Sequence, residues 1–237
     1  MQPNIRTQVR AARTCGDDIV TVTLERPHDY RFDAGQWYRI GLETKQGLEV
    51  RTLSHACAPS DGWLEFSTRL SGSGFKRAVS RLSPGDDVLI SPAAGRLRLP
   101  DDPRLVVLSG GVGIVPVRSL MRDAIGAGRR FEDCAILFGN RDTSCELYLE
   151  EMVGWHAAGV EVVRIIEHPS HTWTGECGFI TSELVERCLV DVRDRTFLVT
   201  GPPAMVAAMH DVLDELGITE GRRVVENFGP AVRRPQG

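Results

Sequence analysis

Apolar and polar positions follow two different rhythms along the chain. Over residues 1–99 they alternate in short runs: Ile5, Thr7, Val9 and Ala11, then Val20, Val22 and Leu24. A period of two is the mark of half-buried strands. Further runs cover Trp37–Leu42, Leu48–Ser54, Trp63–Leu70 and Asp87–Ser91. Turn signals separate them: Asp33-Ala-Gly35, Gln46-Gly47, Ser60-Asp-Gly62, Ser71-Gly-Ser-Gly74, Pro84-Gly85 and Pro92-Ala-Ala-Gly95. Arg77–Leu82 fits a brief helix. Short strands at regular spacing predict a β-barrel or sandwich.

The rhythm changes at residues 96–103, Arg-Leu-Arg-Leu-Pro-Asp-Asp-Pro, so domains of 1–99 and 100–237 are expected. Beyond this point strands and helices alternate. Leu105–Leu108 is a short apolar run suited to a covered parallel strand. Val117, Leu120, Met121, Ala124 and Ile125 then fall on one helical face. Strands are expected at Cys134–Phe138, Glu161–Ile166, Thr196–Thr200 and Arg223–Phe228. Thr143-Ser-Cys-Glu146 has the form of a capping box, with Leu147, Tyr148, Met152 and Trp155 continuing on one face. A small helix begins near Thr181. The last helix carries Met205, Ala208, Met209, Val212, Leu213 and Leu216, and Gly217 closes it. A polar tail expected to fray follows the last strand. Repeated βα units predict a parallel sheet of Rossmann-like type.

The carboxyl ends of these strands carry the candidate chemistry. Gly110, Gly111 and Gly113 crowd into four positions, and Pro116 suits the first turn of the helix that follows. A glycine turn between strand and helix presents backbone N–H groups to phosphate. Ser109-Gly-Gly, Phe138-Gly-Asn-Arg and Thr200-Gly-Pro-Pro all fall at predicted strand ends, the edge where open α/β sheets bind ligands. The pattern is not G-x-G-x-x-G, so the agreement of three ends carries the nucleotide reading.

Composition narrows the class. The 237 residues carry a net charge of −4, which gives no basic field for nucleic acid. The longest apolar run, Leu105–Val117, is broken by Ser109 and three glycines, so no membrane span is expected. The start of the chain has no apolar leader core, and a cytoplasmic location is expected. Cysteines stand at 15, 57, 134, 145, 177 and 188 with no C-x-x-C among them. They read as reduced thiols rather than metal or cluster ligands.

The order of motifs resembles the ferredoxin–NADP reductase superfamily over nearly the whole chain. The motifs are Arg51-Thr-Leu-Ser54, the 110–113 glycines with Pro116, Gly139-Asn-Arg141, Trp173-Thr-Gly175 with Gly178, Gly201-Pro-Pro-Ala-Met205 and Glu226-Asn-Phe-Gly-Pro230. The ending is most similar to the reductase module of flavohaemoglobins, without a globin portion. The resemblance implies an N-terminal antiparallel flavin-binding barrel and a C-terminal nicotinamide-binding α/β domain.

Residue by residue, the resemblance gives Arg51 to flavin phosphate, with Thr52 and Leu53 along the ring and Ser54 on flavin N5. Leu53 stands where the family has tyrosine. Gly74, Phe75 and Lys76 fall in the pyrophosphate loop: Lys76 occupies the family's serine position, the N–H groups of Phe75 to Arg77 would cradle phosphate, and Phe75 would pack on adenine. His55 is expected to be a local hydrogen-bond partner. Gly110, Gly111, Gly113 and Pro116 would receive the dinucleotide. Asn140 and Arg141 would lie near its adenosine. Thr200, in place of the family's cysteine, with Gly201, Pro202 and Met205, would sit beside the nicotinamide. Glu226 and Phe228 would lie near the flavin. Ser54, Thr200, Glu226 and Phe228 are thus the implied catalytic set. Arg141 suits a 2′-phosphate, but Glu167 would repel one, which points to NADH over NADPH.

The implied function is an NAD(P)H reductase. FAD would take hydride and pass electrons to a separate ferredoxin, flavodoxin or oxygenase component. Arg51, Arg69, Arg77 and Arg81 could form a basic docking face. Two alternatives stay open. One is a flavin-binding electron-transfer or regulatory subunit without its own nicotinamide reaction. The other is a flavin-free Rossmann dehydrogenase, which would leave the N-terminal half unexplained.

Overall fold

A computed structural model describes residues 2–229. The tail beyond, including Pro230 of the last motif, lies outside the described residues. The described residues form two compact units, one of residues 2–98 with 115–127, the other of residues 99–114 with 128–229.

The first unit is built on β1 (Ile5–Cys15), β2 (Ile19–Glu25), β3 (Trp37–Thr44), β4 (Gly47–Ser54), β5 (Trp63–Arg69), α1 (Gly74–Val79) and β6 (Asp87–Ile90). Every ladder is antiparallel, and the six strands run β4-β3-β6-β1-β2-β5. Val9, Val20, Val22, Leu24, Tyr38, Ile40, Leu64, Phe66 and Ile90 share one core with Phe75 and Val79 of α1.

Two local expectations fail here. A bulge between Val9 and Ala11 inserts a residue into β1, so the alternation flips and Ala11 is exposed. The brief helix starts at Gly74 rather than Arg77, because Ser73 caps it and accepts from the Lys76 backbone N–H at 3.3 Å.

The second unit is fully parallel. Its sheet order is β10 (Glu176–Cys177), β9 (Val160–Ile166), β8 (Cys134–Asn140), β7 (Leu105–Gly110), β11 (Thr196–Gly201), β12 (Arg223–Asn227). The two-residue edge strand β10 has no periodic signal and is absent from the sequence expectations. Between strands run α2 (Ile114–Gly126), α3 (Leu149–Ala157), α4 (Ser182–Cys188) and α5 (Pro203–Glu215). Leu184 and Val185 of α4 share a core with Val206, Met209, Val212 and Leu213 of α5 and with the sheet. Val206 takes the inward place that the helical pattern gave to Ala208, which is exposed. Gly217 closes α5 at φ 71°, where a side chain would be strained.

The capping box at Thr143–Glu146 does not form. Asp142 instead caps a 3₁₀ turn over Thr143–Cys145, accepting from the Ser144 N–H at 3.0 Å and its hydroxyl at 2.5 Å. The chain then turns through Tyr148 at φ 62° before α3 begins. Glu146 is wholly buried and takes both arms of Arg164, at 2.7 and 2.5 Å. A carboxylate so engaged cannot reach back to cap a helix.

Most of α2 belongs to the first unit, where it fastens the loop after β4. Arg118 donates to the Ala56 carbonyl at 2.9 Å and to Glu65 Oε1 at 2.8 Å. Both members of this ion pair are 6 % exposed. Ser119 donates to the Cys57 carbonyl at 2.6 Å, and Arg122 grips Asp61 through two nitrogens at 3.1 and 2.8 Å. No helix among the described residues is long and apolar enough to cross a membrane.

Candidate functional site

In the first unit, β4 and α1 bring Arg51, Phe75 and Lys76 together. The Arg51 guanidinium lies 5.5 Å from the Phe75 ring centre and the Lys76 ammonium 5.9 Å. Burial, reinforced by the Arg51 charge, pulls Lys76 down to about 8. Lys76 also donates to Thr68 Oγ1. Two cations this close, partly withdrawn from water, make a place for an anion. Arg51 already carries an internal one: its Nη2 stands 3.2 Å from Glu49 Oε2.

Two expected roles change in detail. Phe75 is completely buried in the core, so its ring offers no open platform for adenine. Of the three N–H groups expected to cradle phosphate, two are spent on Ser73: Lys76 N–H on its side chain and Arg77 N–H on its carbonyl. Thr52 is exposed, and Leu53 and Ser54 are half-buried. Leu53 faces Tyr38 across the β3–β4 ladder and packs against the core.

Behind Ser54 sits His55, fully buried and stacked between Tyr38 at 3.9 Å and Phe32 at 4.1 Å. The Gln36 carbonyl lies 2.8 Å from Nδ1 and can only accept, so Nδ1 carries the proton. Nε2 then accepts, with the Tyr30 hydroxyl at 3.2 Å. Burial pushes His55 down to about 3, against the weaker upward pull of the Gln36 carbonyl. It is a neutral brace, the local hydrogen-bond partner expected, and the aromatic sandwich around it was invisible in the pattern.

In the second unit, all parallel strands deliver their carboxyl ends to one edge. β7 runs into a 3₁₀ turn over Gly111–Gly113 and then α2, with Pro116 in its first turn. Gly111 sits at φ 52°. The other two glycines answer to internal packing. A side-chain carbon on Gly110 would collide with Met205 Sδ, and one on Gly113 with the Thr200 carbonyl. Gly201 makes room for Met205 in the same way, at 2.8 Å. Thr200 is fully buried and its hydroxyl donates to Ser109 at 3.2 Å. It therefore bonds the neighbouring strand rather than standing open like the expected catalytic group. Pro202 is exposed.

Asn140 ends β8 only 6 % exposed, and neither amide atom has a partner among the described residues. A buried amide without partners costs about 1–3 kcal/mol. Asn227 Oδ1, at the end of β12, is in the same condition. Such orphaned groups at this edge fit a polar ligand that supplies both donors and acceptors. Arg141 is committed otherwise: Nε meets Asp142 at 2.9 Å and Nη2 lies 3.2 Å from Cys145 Sγ. Glu167 is half-buried next to it along the edge, 3.5 Å from His168. Glu226 is half-buried, and burial alone raises its carboxyl. Phe228 lies just past β12, its N–H on the Gly201 carbonyl at 3.1 Å.

Comparison with known proteins fits this geometry. Residues 107–211 match the family model described as an oxidoreductase NAD-binding domain. A nitric oxide dioxygenase FAD/NAD-binding domain from Vibrio cholerae superposes with a TM-score of 0.85 at 18 % identity, covering 97 % of this chain and all of that one. A ferredoxin–NADP⁺ reductase from Neisseria gonorrhoeae, with FAD and NADP bound, gives 0.84 at 21 % identity, covering 95 % and 98 %. The fold is that of the ferredoxin–NADP reductase-like FAD/NAD-binding modules. Among curated proteins, one subunit of the Na⁺-translocating NADH-quinone reductase of Idiomarina loihiensis is 29 % identical over 82 % of this chain and 53 % of its own length. Its counterpart in Yersinia pestis is 30 % identical over 62 % and 38 %. The chain thus spans about half, or less, of the length of those curated relatives.

Sequence reading missed Glu49 and the Glu65–Arg118 pair. A charged residue inside a strand whose neighbours are apolar was the available signal for Glu65. Glu49 gave none.

Proposed function

We propose that the chain is an NADH-dependent flavoprotein reductase that holds FAD on its first unit and the nicotinamide dinucleotide on its second. What supports this best is the division of labour within one chain. An antiparallel unit carries the Arg51–Lys76 cation pair, and a parallel unit matched as an NAD-binding oxidoreductase domain carries the orphaned Asn140 amide at its binding edge.

Arg51 and Lys76 hold the flavin's phosphates by charge and hydrogen bonds. Ser54, half-buried at the end of β4, would offer its hydroxyl to the flavin, and the braced His55 behind it keeps the end of β4 in place. The turn at Gly111 receives the dinucleotide, Asn140 bonds its polar groups, and Met205 packs alongside. Glu226, half-buried and raised by burial, and Phe228, whose N–H bonds the Gly201 carbonyl, stand at the end of β12 on the dinucleotide-binding unit. FAD held by these residues would supply the hydride-accepting and electron-releasing chemistry. The chain's contribution is positioning and exclusion of water.

NADH is favoured over NADPH because Arg141 is already paired with Asp142 and Glu167 sets a second acidic group beside it. The acceptor proposed is a separate protein: a ferredoxin, flavodoxin or oxygenase component. Six cysteines in the thiol form suit a reducing, cytoplasmic setting.

The test is an anaerobic visible spectrum of the FAD-loaded protein. Flavin bands should bleach with NADH and much more slowly with NADPH. Bands that persist with both nucleotides would overturn the reductase reading in favour of a flavin-binding electron-transfer protein. Failure to take up flavin would overturn the assignment of Arg51 and Lys76.

A further inference from the structure

Glu49 lies two residues before Arg51 on β4, so both side chains emerge on the same face of the strand. Its carboxylate is folded down over the start of α1. Oε2 contacts Arg51 Nη2 at 3.2 Å. Oε1 lies against Gly74, where a side-chain carbon would collide with it. The side chain is 20 % exposed. Oε1 is buried and has no hydrogen-bond partner among the described residues. A charged oxygen held this way is costly, so the arrangement is poor as a purely structural salt bridge. It does satisfy Arg51 when no other anion is present.

We propose that Glu49 is an internal competitor for the flavin's phosphate, holding Arg51 and covering Gly74 until the cofactor displaces it, and so setting how tightly FAD is retained. The inference rests on the assignment of Arg51 and Lys76 to the flavin phosphates. Two cations and one carboxylate leave a surplus of positive charge, enough to attract a phosphate. Binding then requires Glu49 to swing out or to remain near the phosphate as a like charge. Either route weakens the complex. The chemistry predicts a selective effect: only flavins that carry phosphate compete with Glu49. Riboflavin, which has the same ring and no phosphate, does not.

The experiment is a fluorescence titration of flavin-free protein with FAD, FMN and riboflavin, for the native chain and for Glu49→Gln and Glu49→Ala. Glutamine keeps the shape and removes the charge. Both variants should bind FAD and FMN more tightly, by on the order of tenfold, with riboflavin affinity unchanged within about twofold. Equal or weaker FAD binding by both variants would overturn the proposal and make Glu49 a group that orients Arg51. A parallel gain for riboflavin would overturn it too, since the effect would then be one of shape. If the native chain binds riboflavin but gains nothing from phosphate, and Arg51→Gln leaves FAD affinity unchanged, the underlying phosphate assignment fails. That result is distinct from a failure of Glu49 alone.

Discussion

His55 ties the stability of the first unit to pH. The folded chain keeps its imidazole neutral down to about pH 3, whereas in the unfolded chain it titrates near 6.5. Below 6.5 the unfolded state therefore binds a proton that the folded state refuses, and stability falls with pH until the folded value is reached. Above 6.5 the residue contributes no slope. With these two values the loss is about 1 kcal/mol at pH 6 and about 2 kcal/mol at pH 5, approaching about 5 kcal/mol near pH 3. Carboxylates dominate below their own range, so the window from pH 7 to 5 isolates the histidine. The assay is urea unfolding followed by the fluorescence of Trp37 and Trp63, which lie in this unit. The native chain is compared with His55→Phe across that window. Phenylalanine can still stack between Phe32 and Tyr38 but cannot take a proton. It gives up the bonds to Gln36 and Tyr30, so the variant should be weaker at pH 7, yet should lose about 2 kcal/mol less on going to pH 5. Equal losses for the two proteins would refute the argument. So would an imidazole proton resonance of His55 that titrates near pH 6.5 in the folded protein.

Three further outcomes follow from the geometry. Glu65→Gln leaves the Arg118 charge buried without its counter-ion, and urea unfolding should show a loss of about 3–5 kcal/mol, while Glu65→Gln with Arg118→Met recovers much of it. Gly113→Ala drives a methyl group into the Thr200 carbonyl; thermal unfolding should register a cost of about 1–3 kcal/mol, larger than that of Gly126→Ala at the end of α2, where nothing lies within contact. Asn140→Leu removes an amide that is buried without partners, so the ligand-free protein should be as stable or more stable in urea, while KM for NADH rises about tenfold, the worth of one or two hydrogen bonds.

What the sequence disclosed depended on how far apart the cooperating residues lie. Strands and helices of the second unit were legible because their apolar periods are local and long. The pattern placed β7, β8, β9 and β11 to within about two residues. Local signals misled where a neighbour outbid them. Thr143 had the form of a helix cap, but Asp142, one residue earlier, bonds Ser144 more directly, and Glu146 is claimed by Arg164 eighteen residues away. The glycines at 110 and 113 read as a turn that presents backbone N–H groups to phosphate. The side chain they exclude would strike Met205 and Thr200, so the reason is close packing of α5 and β11 as well as any approach of a ligand. The candidate site divides in the same way. Arg51 and Lys76 stood out as cations in marked motifs. Glu49 carries no such signal, because nothing within β4 shows that its carboxylate ends over Gly74. The Arg118–Glu65 pair joins residues 53 apart, and no periodicity links them. A single sequence carries the period of each element plainly, but it carries the identity of a long-range partner only through the oddity of a charge on an apolar face. The groups that tune a site, as distinct from those that build it, are therefore the ones a structure adds.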